Sequence, residues 1–292
     1  MKRSSVHKLL VFAVALGAQT LMLVHAGQEN SPQLSEPCAS KLEVACEQLR
    51  MGVSSYREAW FAEAVLHFRY AAELDSNFVQ AHLYLGTALT QQYIPGRESS
   101  ENLRMANQAI AAFEGALKLD AQNTTALADI AQIYYYLRRF DKAKQYQQRR
   151  IDADPGNPEP YYWIGMLDWA LCFPRQMKLR KDLNLNFPQD PNRPSTLPPL
   201  PEDARARLAS ENGDAVEEGI QDLKKALELK PDDSDAMAYL NLLYRQKADL
   251  EVEEGDRQAD LRIADEWVDK FIAIRRKKTS PSSGEEAPQQ QP

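Results

Sequence analysis

Ala109-Ile110-Ala111-Ala112-Phe113-Glu114-Gly115-Ala116-Leu117-Lys118-Leu119-Asp120-Ala121 carries the spacing that decides the fold. A small residue, Ala109, is followed four positions later by a large one, Phe113, and seven later by another small one, Ala116; a turn residue, Ala121, stands at twelve. The pattern returns upstream as Ala64, Phe68, Ala71 and Ser76, and downstream as Gly219, Leu223, Ala226 and Pro231; Ala143 with Pro155 keeps its outer distance. After each turn a new amphipathic helix begins, with a small or compact residue eight positions in: Gly86, Ala131, Gly165 and Asn241. Antiparallel helices approach to about 8–10 Å only where small side chains face one another, and the large residue between them fills the groove. Two helices in a unit of about 34 residues predict an all-α solenoid of helical hairpins.

Working outward, repeat one runs from about Val44 to Asn77, with Leu49, Met51 and Gly52 on its first helix. Repeat two starts near Val79 and carries Leu85, Gly86 and Leu89, but its second helix is displaced by eleven residues, to Ala109. The cause is Tyr93-Ile94-Pro95-Gly96-Arg97, whose Pro-Gly pair breaks a helix. Repeat three spans about Thr124 to Asn157. Repeat four opens at Pro158 and is interrupted over 174–213, where Pro174, Pro188, Pro191, Pro194, Pro198, Pro199 and Pro201 exclude a continuous helix. A loop that long is either functional or solvated. The second helix is expected to resume at Ala215. Repeat five opens at Ser234, its first helix reaching about Leu250 and its second built around Ala264, Trp267 and Phe271.

The ends differ in kind. Lys2, Arg3 and Lys8 precede an apolar run from Leu9 to Val24, and a small residue, Ala26, closes it. That order is a secretory signal peptide over 1–26, shorter than the roughly 20 apolar residues of a membrane span. The expected organisation is then a polar lead-in over 27–40, the array over 41–276, and a Ser, Pro, Glu and Gln tail over 277–292 that cannot build a core. Arg275-Arg276-Lys277-Lys278 complement the negative end of the last helix. Losing three bases with the leader takes the formal charge from −7 to −10, which disfavours binding to phosphate backbones. Export permits disulfides. Ser40 with Glu43 reads as a capping box that starts a helix near Lys41, so Cys38 falls just before that helix and Cys46 in its second turn. A bridge between them, worth about 2–3 kcal/mol, and a packed Cys46 thiol are both open. Cys172 is left as a buried thiol.

These registers resemble the tetratricopeptide repeat over about Val44 to Phe271. The residues that carry the resemblance are Gly52, Ala64, Phe68, Ala71 and Ser76, then Gly86, Ala109, Phe113, Ala116 and Ala121, then Gly165, Gly219, Leu223, Ala226 and Pro231. Unit three departs from the pattern, with Gln147 and Arg150 where Phe and Ala are usual. The stretch Asp235-Ala236-Met237-Ala238-Tyr239-Leu240-Asn241-Leu242-Leu243-Tyr244-Arg245 also resembles exported bacterial members of unestablished function. The resemblance implies a right-handed superhelical solenoid of about five units whose first helices line a concave groove. Carried over, that groove offers Leu49, Val53, Tyr56 and Arg57; Leu83, Thr87 and Gln91; Gln132, Tyr135 and Tyr136; Tyr162, Met166 and Trp169; and Leu242, Arg245 and Gln246. Aromatic and amide side chains of this kind suit a protein or peptide partner. The carboxylate clamp of the chaperone-tail binders is not implied, because Leu49, Leu83, Val53 and Thr87 stand where that clamp needs cationic and amide groups. The expected role is an adaptor or scaffold in an exported envelope complex. The alternative is a small-ligand module with a Tyr/Trp pocket beneath the 174–213 insertion, whose Arg175, Lys178, Arg180 and Lys181 could close over the groove.

Chemistry-bearing motifs are absent from the sequence. Beyond the leader the histidines are His82, at a packing position, and His67, beside the groove-filling Phe68, and neither they nor the thiols have metal-ligand spacing. There is no Gly-rich phosphate loop and no nucleophile elbow. Glu217-Glu218, Asp232-Asp233 and the Glu251 to Glu254 run read as solvated faces. The expectation is a binding protein without cofactor, metal or catalytic residue.

Overall fold

A computed structural model describes residues 38–185 and 198–279. The leader, most of the lead-in, the centre of the insertion and most of the tail expected from the sequence lie outside these residues. Among the described residues there are ten α-helices and no strand: α1 Glu43–Arg57, α2 Phe61–Leu74, α3 Val79–Gln92, α4 Ser100–Leu119, α5 Thr124–Tyr136, α6 Phe140–Ala153, α7 Pro158–Asp182, α8 Glu202–Leu229, α9 Ser234–Ala248 and α10 Glu254–Thr279. They form two compact units, one running up to Leu167 and one from Asp168, so α7 belongs to both.

The repeat is written into the backbone. Asp75, Asp120, Asp154 and Lys230 each end a second helix in nearly the same conformation, φ −133° to −146° and ψ 84° to 96°. Each donates its N–H to the carbonyl four residues back: Ala71, Ala116, Arg150 and Ala226. These turns stand 45, 34 and 76 residues apart. The middle interval is the uninterrupted period; the outer two contain the insertions. The turns inside the hairpins repeat as well. Trp60 N–H donates to Ser55 O at 2.9 Å and Arg139 N–H to Tyr134 O at 2.8 Å. The residues before them, Ala59 at φ 61° and Arg138 at φ 56°, take the left-handed conformation that closes a helix end. The end of α7 is built the same way, with Asn184 at φ 58° and Leu185 N–H donating to Arg180 O.

Packing follows the sequence spacing. A Cβ on Gly52 would lie 2.5 Å from the Phe68 ring, and one on Gly86 would lie 2.6 Å from Phe113. Both rings are fully buried. Gly219 does the same work in the second unit, facing Leu243 and Asp168 at 2.9 and 3.0 Å. Each close approach lets α1 meet α2, α3 meet α4, and α8 meet α9.

The first insertion is a short loop plus a lengthened α4; α3 before it keeps the ordinary length. Its Pro95-Gly96 turn is held by buried Asn102, which accepts from Ile94 N–H and donates to the carbonyls of Ile94 and Arg97, each at 2.8 Å. Asn102→Ala strands these backbone groups, and the expected loss is about 2–3 kcal/mol in urea unfolding followed by circular dichroism.

The second insertion departs from expectation. α7 continues through Pro174 to Asp182, and α8 begins at Glu202, so both ends of 174–213 extend flanking helices. Pro174 removes one helical hydrogen bond, and neighbouring contacts outweigh that loss. Buried Asn212 donates to Cys172 O at 3.2 Å, and Arg175 donates to Glu211 O and to the Asn212 side chain. One turn further, fully buried Arg180 forms a bidentate pair with Asp249 at 2.5 and 2.9 Å and donates to Pro198 O at 3.0 Å. Gln176 donates to the same carboxylate. The cations expected to close over a groove therefore sit on α7: Arg180 is buried, Arg175 and Lys178 are exposed but engaged, Lys178 with Asp182 at 2.6 Å, and Lys181 is exposed.

At the start of the array the capping box does not form. α1 begins at Glu43, and Ser40 Oγ accepts from Leu42 N–H while donating to Asp75 at 2.6 Å. Cys38 and Cys46 are disulfide-bonded, with Cα atoms 5.7 Å apart, and Cys172 is a buried free thiol. α10 runs to Thr279, three residues past the expected bound, and Lys278 reaches Asp232 at 3.2 Å. No described helix is long and apolar enough to cross a membrane.

Candidate functional site

The first unit places its first helices side by side, with α3 against α5 directly. Their last turns carry the residues expected to meet a partner. Tyr56 at the end of α1 hydrogen-bonds Gln91 at the end of α3, and it feels the charge of Asp129 on α5. Burial raises the pKa of the Tyr56 hydroxyl, and the Gln91 bond opposes that shift. The ends of α1 and α3 are thus joined by a phenol and an amide, and the charge of the buried Asp129 carboxyl on α5 acts on that phenol. Arg57 and Gln91 are exposed; Tyr56, Gln132, Tyr135, Tyr136 and Tyr162 are half-buried. Burial also raises the pKa of Tyr135 and Tyr136, so both remain neutral donors across the physiological range.

A chain of ring contacts runs along the same helices, from buried Tyr93 to half-buried Tyr136, Tyr135 and Trp163. Tyr93, just after α3, lies 6.5 Å from Tyr136; Tyr136 lies 5.5 Å from Tyr135; Tyr135 lies 5.7 Å from Trp163 on α7, edge to face. Phe140 backs Tyr135 at 6.1 Å. Tyr93, Trp163 and Phe140 were not among the residues expected here. Trp163 falls one position past Tyr162 on α7, and Tyr93 belongs to the first insertion, where the motif assigns no side chains.

Beneath the face lies a polar centre that explains the departure in unit three. Arg150 is buried and donates to Gln147 at 2.9 Å and to Glu159 at 2.7 Å. Burial pushes the Asp129 carboxyl up to about 7, with the Arg150 charge opposing. The folded pKa is above the ordinary value of about 3.9, so the fold favours the neutral acid. This contribution grows as pH falls below 7 and is lost as pH rises through 7. Asn at 129 is neutral at every pH. The melting advantage of Asp129→Asn over the parent in scanning calorimetry should therefore shrink by about 2 kcal/mol between pH 7.5 and pH 5. A gap that does not change with pH would contradict this assignment.

Other expected contact residues sit inside the packing. Leu49, Val53, Thr87 and Met166 are buried in the first unit, and Thr87 Oγ donates back to Leu83 O at 3.0 Å. In the second unit Trp169, Leu242 and Gln246 are buried. Trp169 stacks on Phe173 at 5.1 Å and meets Tyr239 edge-on at 5.4 Å. Arg245 is held by Asn241 at 2.9 Å and Asp265 at 2.5 Å. These positions face neighbouring first helices more than solvent, because a hairpin flanked on both sides buries more of its inner surface. Here the outer turns of each helix, not its middle, reach the surface. Trp169, expected to help enclose a small ligand, is instead buried against Phe173 and Tyr239.

His67 bonds Gln48 at 2.8 Å, and His82 lies against Gly115. Among the described residues, no three His, Cys, Asp or Glu side chains gather to hold a metal ion.

A family profile for the tetratricopeptide repeat matches residues 104–166. No curated protein matches the chain. Among solved structures, MamA from Desulfovibrio magneticus RS-1 (residues 41 to the end) superposes with a TM-score of 0.54 at 16% identity, covering 82% of this chain and 100% of that one. A second MamA structure gives 0.53 at 14% identity, over 84% and 99%. YrrB, described as a TPR protein with an unusual peptide-binding site, gives 0.50 at 18% identity, over 80% and 87%. At these identities the likeness is one of fold. Residues 104–166 carry the tetratricopeptide repeat by sequence, and the chain has the solenoid fold of a tetratricopeptide-repeat protein.

Proposed function

We propose that this chain is an interaction scaffold, not a catalyst, and that it holds a protein segment on the first-helix face of residues 38–167. The observation that carries the reading is the set of first-helix side chains that reach the surface: Tyr56 against Gln91, Tyr135 against Tyr136, and half-buried Gln132 and Tyr162. It combines large, stiff contact area with hydrogen-bonding tips, the composition that concentrates binding energy at protein interfaces. YrrB is described as binding peptide, and a likeness of fold makes the same use available here. The polar floor at Arg150, Gln147 and Asp129 holds α5, α6 and α7 in fixed register beneath that face.

We further propose that the chain works outside the cytosol. The signal-peptide pattern over 1–26 and the Cys38–Cys46 bridge both support an oxidising compartment.

The test is affinity capture from the source cells with three proteins: the parent, Tyr56→Ala with Tyr162→Ala, and Leu66→Ser with Tyr70→Ser. The last pair is exposed on the second helix α2. A partner kept by the parent and by the α2 variant, but lost by the Tyr56/Tyr162 variant with helicity intact, is the expected result. Equal capture by all three would overturn the reading.

A further inference from the structure

The second helices of the first unit carry a concentration of positive charge that the first-helix face does not include. Between Arg138 and Arg150 stand six lysines and arginines and a single carboxylate, Asp141, a local charge of +5 in a chain whose formal charge is −7. Arg139, Lys142, Tyr146 and Arg149 are spaced by three, four and three residues, so they share one face of α6. Arg139, Lys142 and Arg149 are exposed, and Tyr146 is half-buried. The charged face continues onto α4. The Tyr146 hydroxyl donates to Glu114 at 3.2 Å, Arg149 donates to Ala121 O at 3.4 Å, and exposed Lys118 stands one turn beyond Glu114.

These cations are positioned without being neutralised. The Lys142 ammonium lies 5.2 Å from the Tyr134 centroid and the Arg149 guanidinium 5.2 Å from the Tyr146 centroid, and the two rings are 5.7 Å apart. A ring face attracts a cation and limits where it points, but carries no formal charge to cancel it. Among the described residues, Arg139, Lys142, Arg149 and Lys118 have no carboxylate at ion-pair distance. Other exposed cations do: Arg104 pairs with Glu101 at 2.5 Å, and Arg207 with Glu211 at 2.9 Å. A helix surface that meets only water gains from such pairs, and this stripe lacks them.

Charge selects an anionic occupant, and the surrounding side chains select its class. An anionic bilayer presents negative charge on every side, and Asp141, Asp152 and Glu114 are exposed beside these cations. Nor does α6 expose a large apolar side chain that would enter lipid. An acidic protein segment places its carboxylates one by one, so it can meet the cations and avoid the acids. Exposed Gln145, three residues after Lys142 and four before Arg149, offers an amide to its backbone.

We propose that the Arg139–Lys142–Arg149 stripe of α6, with Lys118 of α4, docks an acidic segment of a partner protein. This is a second surface, and it stands whether or not the first-helix face binds.

The probe is a fluorescein-labelled peptide of alternating glutamate and serine, titrated with the full chain at about 50 mM salt and read by anisotropy. Saturable binding is expected for this peptide and none for its glutamine counterpart. Lys142→Glu with Arg149→Glu should weaken it by about tenfold, because two attractions become repulsions. Lys142→Arg with Arg149→Lys keeps both charges and should keep the affinity within about twofold. Arg69→Glu with Arg97→Glu changes the net charge equally at exposed sites outside the stripe, and should leave binding nearly unchanged. Should the reversal unfold by circular dichroism, Lys142→Gln with Arg149→Gln removes the same charges and should still weaken binding several-fold. No binding, an equal loss in the Arg69/Arg97 variant, or full binding by the Lys142/Arg149 reversal overturns the proposal. Sedimentation with vesicles containing phosphatidylglycerol is the competing arm. Vesicle binding that the Lys142/Arg149 reversal abolishes, with no peptide binding, would overturn the protein segment and assign the stripe to a membrane.

Discussion

Gly86→Leu should unfold the second hairpin or lower the stability of the first unit by about 3 kcal/mol. A Cβ alone would lie 2.6 to 2.7 Å from three atoms of the Phe113 ring. That ring is fully buried and has no space to yield. Leucine adds a whole branch to the clash. The substitution also brings a gain, because leucine is a better helix former than glycine by roughly 0.5–1 kcal/mol. The overpacking term is the larger, so the sign is a loss. Gly213→Ala isolates the opposing term. A Cβ there meets nothing within 4 Å, inside α8, so this variant should gain up to about 1 kcal/mol. Urea midpoints of the two variants, measured against the parent, should move in opposite directions. A destabilised Gly213→Ala, or a neutral Gly86→Leu, would contradict the packing account.

Arg180→Ala should be the most damaging single change in the second unit, at about 3–5 kcal/mol, because it leaves the Asp249 carboxylate buried without its cation. Asp249 is 6% exposed and Arg180 not at all. The arginine also holds Pro198 O, where the chain returns from the insertion. The pair therefore fastens the extended end of α7 to α9. It need not be a net source of stability, since desolvating both charges offsets most of their attraction. The double variant Arg180→Leu with Asp249→Leu should consequently be less destabilised than either single one. Additive losses in thermal unfolding would mean that the two groups do not act as a pair.

The sequence spoke most clearly where geometry leaves one solution. Only a residue without a side chain lets α1 reach Phe68, so Gly52 and Phe68 announce each other across the hairpin. The inter-hairpin turns at Asp75, Asp120 and Asp154 were legible for the same reason, since the period itself locates them. Cys38 and Cys46 could be brought together on paper, but spacing alone did not decide between a bridge and a packed thiol. The helix through Pro174 was not legible. Its support comes from Asn212 and Asp249, dozens of residues away, and no local rule registers such partners. Ser40 was misleading because its hydroxyl accepts from Leu42 N–H and donates to Asp75 across the hairpin, instead of accepting from Glu43 N–H.

The candidate face was partly legible. Motif positions led to Tyr56, Gln91, Tyr135, Tyr136 and Tyr162, which do reach the surface. They also led to Thr87, Met166 and Trp169, which neighbouring helices cover; how deeply a first helix is flanked is a property of the packed array, not of its own residues. Trp163 joins the face through side-chain direction, and Tyr93, a buried ring against Tyr136, comes from an insertion; the repeat pattern is silent on both. Gln147 and Arg150 stood out as departures from the motif, and burial reveals their use with Asp129 as a polar core.

The most direct test places a photoreactive phenylalanine analogue at Tyr135 in one protein and at Tyr70 on α2 in another, irradiates both in the source cells, and identifies the attached peptides by mass spectrometry. The account predicts that position 135 attaches to one defined segment of a partner protein and that position 70 does not. Attachment at position 70 alone, or the same diffuse set of peptides from both, would contradict a binding face on the first helices.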